Sequence, residues 1–475
     1  MQGAPGRRIY CNRTLNLRSI KAIGYDMDYT LIHYRTNDWE AHAYKHTLRF
    51  FREQGWPVEG LEFDPQLMIR GLTIDTQLGN IVKANRFGFV KHAYHGTRLL
   101  PHEETREIYG RVIVDLEESR FMFMNTLFSL SEASLYAQFV DRFDRKELSG
   151  VVGYEDLYRK VRYTVDYAHL EGRLKGEIIA DPDRFVELDP DTPMALLDQH
   201  HAGKKLVLIT NSEWHYSKAM MSYAFDRFLP HGMSWTDLFD LVIVEARKPN
   251  FFTQTNPAFR VDVSDGTLVP AREGFVLGSV FLGGHASQVE SCLGLAGEEI
   301  LYVGDHLFAD VHVSKNVQRW RTALVLREVE AEIAAIEAFE PRRLELDRLM
   351  ADKERLEAES YDLKLQLQRM RLEYGIREQA DASALKARLD AVRERLQVLD
   401  QQIRPLAAAA DVMLNPNWGL LMRAGNDKSQ LARQVEQYAD IYMSRVSNFV
   451  FHTPFAYLRG ARGTLPHDPY VVAEG

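Results

Sequence analysis

Four short, mainly apolar runs, each followed at once by polar or charged residues, constrain the fold of this chain more than any other feature. They occupy residues 20–25, 204–209, 241–244 and 300–304. A continuous apolar run of this length is typical of a buried strand in a parallel sheet. Open α/β sheets bind ligands beyond the carboxyl ends of their strands. The sequence therefore predicts an α/β fold in which the polar residues after the four runs share one site.

Carboxylates follow the first and the fourth run. Asp26 and Asp28 come after the first, and Asp305 and Asp310 come after the fourth. Residues two apart on an extended segment point to the same side, so Asp26 and Asp28 can face one site. Four carboxylates in one cleft repel each other unless a cation lies among them, and oxygen ligands suit Mg2+. The four residues predict a Mg2+ site, although Asp26 and Asp28 taken alone are more typical of an acidic turn.

Small polar residues and a lysine follow the second and third runs. Thr210 and Asn211 end the second run, and Ser212 is predicted to be the N-cap of the helix that follows. Free backbone N–H groups and the helix dipole favour phosphate at this position, although a plain capped helix explains the pattern as well. Lys248 follows the third run, and the proline after it disfavours helical geometry at the lysine. Taken alone, a lysine is more typical of a solvated surface.

Length, charge and cysteine usage restrict the class of protein. With 475 residues the chain is too long for a single core. A net charge of −9 argues against broad nucleic-acid or membrane-surface binding, which needs basic patches. Two cysteines make a disulfide framework implausible, and no run approaches the roughly 20 apolar residues of a membrane span. We therefore expect a cytoplasmic protein with no nucleic-acid or membrane partner.

The order of the runs predicts five segments. Residues 1–32 hold the first core strand, 33–203 form an insertion placed as a cap, and 204–327 hold the remaining core strands. Residues 328–410 carry apolar residues at heptad spacing on two stretches, which predicts an antiparallel helical hairpin. Residues 411–475 are expected to pack back on the core. Outside the hairpin, longer helices are predicted at 39–54, 103–117, 132–144, 153–170 and 430–451.

Together, the four strand ends resemble the haloacid-dehalogenase superfamily. The shared pattern is Asp-x-Asp-x-Thr, Thr-Asn, Lys-Pro and Gly-Asp-x4-Asp after successive strands. The resemblance implies a doubly wound parallel sheet with a large inserted cap, and Mg2+-dependent phosphohydrolase activity. It implies that Asp26 attacks phosphorus to form an aspartyl phosphate and that Asp28 is the general acid and base. The implied Mg2+ ligands are Asp26, Asp28, Asp305 and Asp310, and the implied phosphoryl-binding residues are Thr210, Asn211 and Lys248.

Longer stretches resemble one family of that superfamily, the cytosolic purine 5′-nucleotidases of type II. They include Ile-Gly-Tyr-Asp-Met-Asp-Tyr-Thr-Leu at 23–31, Asn-Thr-Leu-Phe at 125–128 and Ala-Arg-Lys-Pro at 246–249. The resemblance runs from about residue 10 to 468 and implies hydrolysis of 6-hydroxypurine nucleoside 5′-monophosphates, chiefly IMP and GMP. It also implies transfer of the phosphoryl group to another nucleoside, and a homotetramer. The strand ends alone leave open a phosphotransferase or a phosphatase of another small phosphomonoester.

A segment of the insertion matches the substrate-binding part of that family. Arg162, Asp166 and His169 lie at i, i+4 and i+7, on one face of a helix. By spacing alone, Arg162 and Asp166 are more typical of a surface ion pair. The resemblance implies that they read the purine edge, that Phe128 stacks on the ring and that Lys175 reaches the phosphate. His169 belongs to the same implied set.

The resemblance also implies a second site, for an activating purine nucleotide. Its implied lining residues are Asn125, Phe308, Gln434 and Tyr438. Asn316 and Gln437 stand where the family has a lysine and an arginine, which removes positive charge that would meet an anionic effector.

Three histidines lie near these features without completing a motif. His42 and His46 are four residues apart but lack the glutamate of a zinc-protease pattern, so they are expected on a helix surface. His306 follows a predicted metal ligand and is interpreted as a packing residue or an indirect support of the metal.

Overall fold

A computed structural model describes residues 4–170, 172–375 and 381–461, except for the side chains of 169 and 170. Its strands are β1 Ile9–Cys11, β2 Leu15–Asn16, β3 Ala22–Tyr25, β4 His33–Tyr34, β5 Thr73–Asp75, β6 Asn80–Ala84, β7 Val90–His95, β8 Arg98–Leu99, β9 Phe121–Phe123, β10 Val186–Glu187, β11 Lys205–Ile209, β12 Leu241–Val244, β13 Ala258–Val261, β14 Leu268–Pro270, β15 Ser279–Gly283, β16 Ile300–Gly304, β17 Arg321–Val325, β18 Arg423–Ala424, β19 Asp427–Lys428, β20 Ile441–Met443 and β21 Tyr457–Leu458. The four apolar runs of the sequence correspond to β3, β11, β12 and β16.

The α-helices alternate with the strands through most of the chain. They are α1 Thr36–Glu53, α2 His102–Tyr109, α3 Leu130–Asp144, α4 Tyr154–Leu170, α5 Arg173–Ala180, α6 Pro182–Phe185, α7 Asp191–His201, α8 Trp214–Phe225, α9 Asn250–Thr253, α10 Ala286–Leu293, α11 Val313–Gln318, α12 Val329–Leu372, α13 Ala382–Asp411 and α14 Gln430–Tyr438. Within the described ranges, no helix is long and apolar enough to cross a membrane.

The central sheet has ten strands in the order β1-β20-β17-β16-β3-β11-β12-β15-β13-β14. The seven strands from β20 to β15 run parallel. At one edge β1 pairs antiparallel with β20, and at the other β13 pairs antiparallel with β15 and β14 pairs antiparallel with β13. Of the inner strands, β3, β12 and β16 are buried over their whole length, as their uninterrupted apolar sequence requires. This is the predicted doubly wound α/β architecture, and β3 lies between β11 and β16, where the strand order reverses.

Close approach between strands explains one glycine of the first run. A β-carbon on Gly24 would lie 2.8 Å from Cδ2 of Tyr302 on the neighbouring β16. Tyr302 is completely buried and packs beside Phe252 and Trp320 in the core on one face of the sheet. Any larger residue at position 24 would displace this ring.

The insertion contains a second sheet, which the sequence did not predict. Its five antiparallel strands have the order β8-β7-β6-β5-β9. The helix predicted at 103–117 is therefore wrong in its second half: α2 ends at Tyr109, and residues 121–123 form β9. The Tyr109 hydroxyl donates to Asp75 at 2.8 Å, which fixes the helix end against β5.

The first helix of the insertion buries a face that was expected to be exposed. His46 is 7% exposed and His42 is half-buried. The prediction of a surface location for both is wrong, because this face of α1 packs against α5.

The tail is only partly helical. The helix predicted at 430–451 ends at Tyr438, and β20 follows and pairs in parallel with β17. Asp440 ends the helical pattern: its buried carboxylate accepts hydrogen bonds from Arg13, Lys315 and Arg321. If the helix continued, the outer edge of β17 would have unpaired backbone N–H and C=O groups. Pairing with β20 gives these groups hydrogen-bond partners.

The described residues divide into two compact units, one of residues 1–330 with 421–475 and one of residues 331–420. In the second unit, α12 and α13 pack through an apolar seam of Leu356, Leu363, Leu385, Leu389 and Val392. The Lys353–Asp400 and Arg388–Glu359 ion pairs connect the two helices. The heptads of the sequence thus form a helical hairpin.

Candidate active site

Three carboxylates converge at the carboxyl ends of β3 and β16. Asp26 directly follows β3, Asp305 follows β16, and Asp310 lies in a single π-helical turn at Leu307–His312. One oxygen of each carboxylate lies within 4.8 Å of the others. Their exposed fractions are 8%, 3% and 0%, respectively. The structure therefore brings together three of the four aspartates that the strand ends indicated, as a set of buried oxygen donors.

Lys248 lies against this cluster. Its Nζ is 2.7 Å from Asp26 Oδ1 and 2.8 Å from Asp310 Oδ1, and it donates to the Tyr302 hydroxyl at 3.1 Å. The side chain is only 2% exposed, so the alternative of a solvated surface lysine does not hold. A buried ammonium group is thus fixed at one side of the three carboxylates.

The charges of the three carboxylates and Lys248 do not cancel. Burial raises the pKa of Asp26, and Lys248 opposes this effect. The negative charges of Asp310 and Asp305 raise it as well, so the pKa of Asp26 lies well above its usual range. Burial and the nearby Asp310 raise the pKa of Asp305 to about 7. Burial alone would lower the pKa of Lys248, but Asp26 and Asp310 raise it well above its ordinary value. One lysine therefore does not offset three carboxylates, and a divalent cation would.

Backbone contacts hold Asp310 in place. Its Oδ2 accepts from the His306 backbone N–H at 3.1 Å, and the His306 ring accepts from the Ala309 N–H at 2.9 Å. A β-carbon on Gly304 would lie 2.5 Å from the same carboxylate, so this position needs glycine. His306 supports the turn through its ring, as the sequence interpretation of a packing or supporting residue proposed.

Two residues that the sequence reasoning did not assign hold Asp305. The Thr126 hydroxyl donates to Asp305 Oδ2 at 3.3 Å, and the Arg70 guanidinium donates to the Asp305 carbonyl at 3.2 Å. Arg70 is 2% exposed and also pairs with Glu328 at 2.8 Å. Their signal in the sequence is weak, because an arginine or a threonine in a long insertion is most often a surface residue.

Asp28 lies beside the cluster and has its own partners. Tyr34 donates to Oδ1, and Ser212 donates to Oδ2 at 2.7 Å. The prediction that Ser212 caps α8 is wrong: Glu213 occupies the N-cap without a side-chain cap bond, because the serine hydroxyl is used by Asp28. Both oxygens of Asp28 are thereby oriented before any substrate binds.

Thr210 and Asn211 lie at the end of β11 but face different partners. Thr210 is completely buried, and its hydroxyl accepts from the Ser212 N–H at 3.0 Å. Asn211 Oδ1 accepts from the Lys248 N–H at 2.6 Å, and its Nδ2 donates to the Lys248 carbonyl at 3.2 Å. Asn211 thus fixes the backbone of Lys248 and joins the strand ends of β11 and β12.

Arg162 and Asp166 on α4 are the two residues predicted to contact the purine edge. Arg162 is held by Glu132, which the sequence reasoning did not identify. Arg162 Nη1 is 2.8 Å from Glu132 Oε2, and its Nε is 3.2 Å from Asp166 Oδ2. Glu132 is 3% exposed and also accepts from the Tyr158 hydroxyl at 2.8 Å. Arg162 and Asp166 themselves are half-exposed. A carboxylate on the otherwise apolar, buried face of α3 was the available signal for Glu132.

Phe128 lies in an aromatic group that begins with Tyr29, shortly after β3. Its ring is 4.7 Å from Tyr29 and 5.6 Å from Trp39, centroid to centroid, with steep interplanar angles. Tyr29 has a φ of 55°, a left-handed conformation that costs a non-glycine residue about 1 kcal/mol or more. This strained turn connects the aspartates of the first strand to the phenylalanine.

Lys175 points toward the phosphate end of the predicted site. Its Nζ is 2.6 Å from Glu213 Oε2 and donates to the Ser212 hydroxyl at 3.3 Å. Since Ser212 also contacts Asp28, a single hydroxyl separates the lysine from that carboxylate. The side chain of His169 lies outside the described residues, so its predicted role stays a prediction.

The four residues of the second predicted site line one cavity of about 440 Å³. Its polar and aromatic lining includes Asn125, Phe308, Gln434 and Tyr438, and His312 packs between the two aromatic rings. Gln437 also lines it. Arg433 also lines the cavity and supplies a cation that the family resemblance did not identify, and the acidic Asp115 and Glu117 line the cavity too.

Comparison with known proteins agrees with this geometry. The model of the 5′ nucleotidase family matches residues 9–470. A 5′-nucleotidase domain-containing protein of Dictyostelium discoideum is 28% identical over 481 residues, which cover 97% of this chain and 74% of that protein. A solved structure of a predicted phosphoglycolate phosphatase from Haemophilus somnus 129PT is 14% identical and covers 65% of this chain and 85% of its own, but its TM-score of 0.28 supports no inference.

The family match includes the residues of the candidate active site. It covers every strand end of the candidate site, from β3 to β16. It supports a phosphoric monoester hydrolase that acts on nucleotides. The chain belongs to the 5′-nucleotidase family.

Proposed function

We propose that this protein is a Mg2+-dependent 5′-nucleotidase that hydrolyses 6-hydroxypurine nucleoside 5′-monophosphates, IMP and GMP, through an aspartyl phosphate. The observation that carries the proposal is the contact of Lys248 with both Asp26 and Asp310 beside a third buried carboxylate. A nucleophilic carboxylate, a cation for phosphoryl oxygens and an all-oxygen metal set are the parts that phosphoryl transfer needs.

The carboxylate cluster fits Mg2+. Asp26, Asp305 and Asp310 offer hard oxygen donors, and their mutual repulsion favours a divalent cation. A bound Mg2+ supplies charge neutralisation and Lewis-acid polarisation of the phosphoryl group. A part for the Asp28 carbonyl in the metal site stays a prediction.

The protein's side chains and backbone supply the nucleophile, the proton transfers and the stabilisation of phosphoryl charge. Asp26 attacks phosphorus while Asp28 gives a proton to the leaving 5′-oxygen. In the second half-reaction Asp28 accepts a proton from the water that attacks the aspartyl phosphate. The hydrogen bonds from Tyr34 and Ser212 orient both Asp28 oxygens and favour the carboxylate form, which supports the proton-accepting role in the second half-reaction. Lys248 and backbone donors after β11, near Thr210 and Asn211, stabilise charge on the phosphoryl oxygens.

Base selection is assigned to α4 and the aromatic group. Arg162, fixed by Glu132, and Asp166 present a donor and an acceptor at one face, which suits the 6-oxo and N1–H edge of hypoxanthine or guanine. Phe128 would stack on the base, and Lys175 would reach the phosphate. A hydrogen bond that involves a charged group contributes about 1.5–3 kcal/mol.

Arg162→Ala is expected to lower kcat/KM for IMP and GMP by about 10- to 100-fold. Phosphate release would be measured across IMP, GMP, AMP, CMP and UMP with Mg2+ present. The matched control is Arg159→Ala, one turn earlier on α4, where the side chain is 70% exposed and its ion pair with Asp156 is long, 3.9 Å. Equal rates on purine and pyrimidine nucleotides, or equal losses in both variants, would contradict this assignment.

We further propose that a purine nucleotide binds the cavity formed by Asn125, Phe308, Gln434 and Tyr438 and activates the enzyme. The flat rings of Phe308 and Tyr438 suit a base, and Arg433 suits a phosphate. Saturating ATP is expected to raise the rate about fivefold, and Phe308→Ala is expected to remove the response while the basal rate stays within about twofold. A rate that does not change with ATP would rule out the effector site.

The aspartyl phosphate also permits a second acceptor. A nucleoside in place of water would make the protein a phosphotransferase, and added inosine would reveal this as newly formed nucleotide. Tetramer formation and a cytoplasmic location stay predictions of the family resemblance.

A further inference from the structure

A second group of metal-ligating side chains lies between α1 and α5, apart from the aspartates. His42 Nε2 is 2.7 Å from Glu177 Oε2, and His46 Nε2 is 3.3 Å from the same oxygen. One ligand atom of each residue lies within 4.8 Å of the other two. Two imidazole nitrogens thus converge on a single carboxylate oxygen.

The two histidines are placed to bind together. They are four residues apart on α1, and this spacing puts both rings on one face of a helix, where paired histidines bind zinc in many proteins. Their ring centroids are 4.7 Å apart. The His46 side chain is only 8% exposed, and its Nε2 lies 3.3 Å from Glu177 Oε2. Helix α1 therefore holds two of the three ligands, His42 and His46, in fixed relative positions.

The donor set selects the class of metal. Two imidazoles and one carboxylate are poor ligands for Mg2+, which prefers oxygen, and they suit a borderline ion such as Zn2+. Three protein ligands leave a fourth tetrahedral position for water. Glu177 is 52% exposed, which gives solvent and metal an entry path.

We propose that His42, His46 and Glu177 form a zinc site that links α1 to α5. The helix α5 has eight residues and begins after Gly172, which has a φ of 83°. A helix this short is not stable by itself, so a metal bond to Glu177 would fix it. Lys175 lies two residues before Glu177 on the same helix, and the metal would hold the turn that carries this lysine.

The test measures zinc on the full chain after treatment with a chelator and excess Mg2+. We expect wild-type protein to retain about one Zn2+ per chain more than the double variant His42→Asn/Glu177→Gln. Zn2+ should raise the melting temperature of wild type by about 2–4 °C and leave the double variant unchanged. The same measurement on the Asp26→Asn variant shows how much of the zinc is bound by the aspartate cluster.

Single substitutions keep the test independent of folding. Glu177→Gln changes an exposed side chain and should weaken zinc binding at least about 10-fold. The matched control, Glu53→Gln, alters another exposed glutamate near the end of α1 and should bind zinc as wild type does. Equal zinc content and equal melting shifts in wild type and Glu177→Gln would overturn the proposal. Because no readout uses phosphate release, such a failure would leave the proposed nucleotidase activity untouched.

Discussion

Phosphate release from IMP is expected to fall by at least about 10⁴-fold when Asp26 is replaced by asparagine. An amide cannot attack phosphorus to form an acyl phosphate. Tyr34 and Ser212 hold both oxygens of Asp28, so Asp28 cannot replace Asp26 as the nucleophile. The measurement is steady-state phosphate release with Mg2+ and with a chelator. Acid quenching of wild-type enzyme with IMP labelled at the phosphate should trap labelled protein, and the Asp26→Asn variant should trap none.

Two controls connect this loss to chemistry. Circular dichroism should be unchanged, because asparagine has the size of aspartate and the substitution removes one of three repelling carboxylates. Glu213→Gln changes a nearby, half-exposed carboxylate that pairs with Lys175 and should reduce the rate by less than about 10-fold. Wild-type activity in Asp26→Asn would rule out the covalent mechanism.

Replacing Asp440 with asparagine is expected to lower the free energy of unfolding by about 3–5 kcal/mol at neutral pH. Its carboxylate is 1% exposed, 2.6 Å from both Arg13 and Lys315 and 2.9 Å from Arg321. An amide would leave three cations around a group without charge. Urea unfolding of wild type and variant measures the difference.

The effect of Asp440 depends on pH with a defined sign. Burial opposes ionisation, but the hydrogen bonds from Lys315, Arg13 and Arg321 lower the pKa of Asp440 to about 2. A lowered pKa contributes stability above the unfolded value of about 4, and this contribution is lost as the pH falls toward 2. The difference between wild type and Asp440→Asn should therefore shrink between pH 4 and pH 2.

A matched surface pair provides the control for Asp440. Glu436 pairs with Lys428 at 2.9 Å, but both side chains are about half-exposed. Glu436→Gln should change the free energy of unfolding by no more than about 0.5 kcal/mol. A loss as large as that of Asp440→Asn would mean that charge on this segment, and not the buried contact, sets the stability.

The sheet edge that carries the candidate site was predictable because its strands follow short-range patterns. Strands that are buried on both faces must be apolar throughout, so β3, β11, β12 and β16 are visible in the sequence. The polar residues that follow each strand are then brought together by the parallel direction of the strands. The contact between Lys248 and Asp26 is a consequence of that topology and not of any local signal.

Other features depend on partners that are distant in the sequence. The strands of the second sheet are two to six residues long and alternate little, and their pairing decides their conformation. The helical pattern at 430–451 was broken at Asp440 by contacts with Arg13 and Arg321, more than 100 residues away. Glu132 and the His42–Glu177 contact were missed for the same reason, since each needs the packing of two helices.

The pairing of β1 with β20 has a consequence for how the chain folds as it leaves the ribosome. Within the central sheet of the described residues, β1 at residues 9–11 pairs with β20 at residues 441–443, so β1 has no partner in that sheet until residue 443 has been made. Translation at roughly 5–20 residues per second separates the two by tens of seconds. β1 is unpaired throughout that interval, and the outer edge of β17 is unpaired from the synthesis of residue 325 onward. Premature release or truncation between residues 325 and 443 would leave both available to another chain.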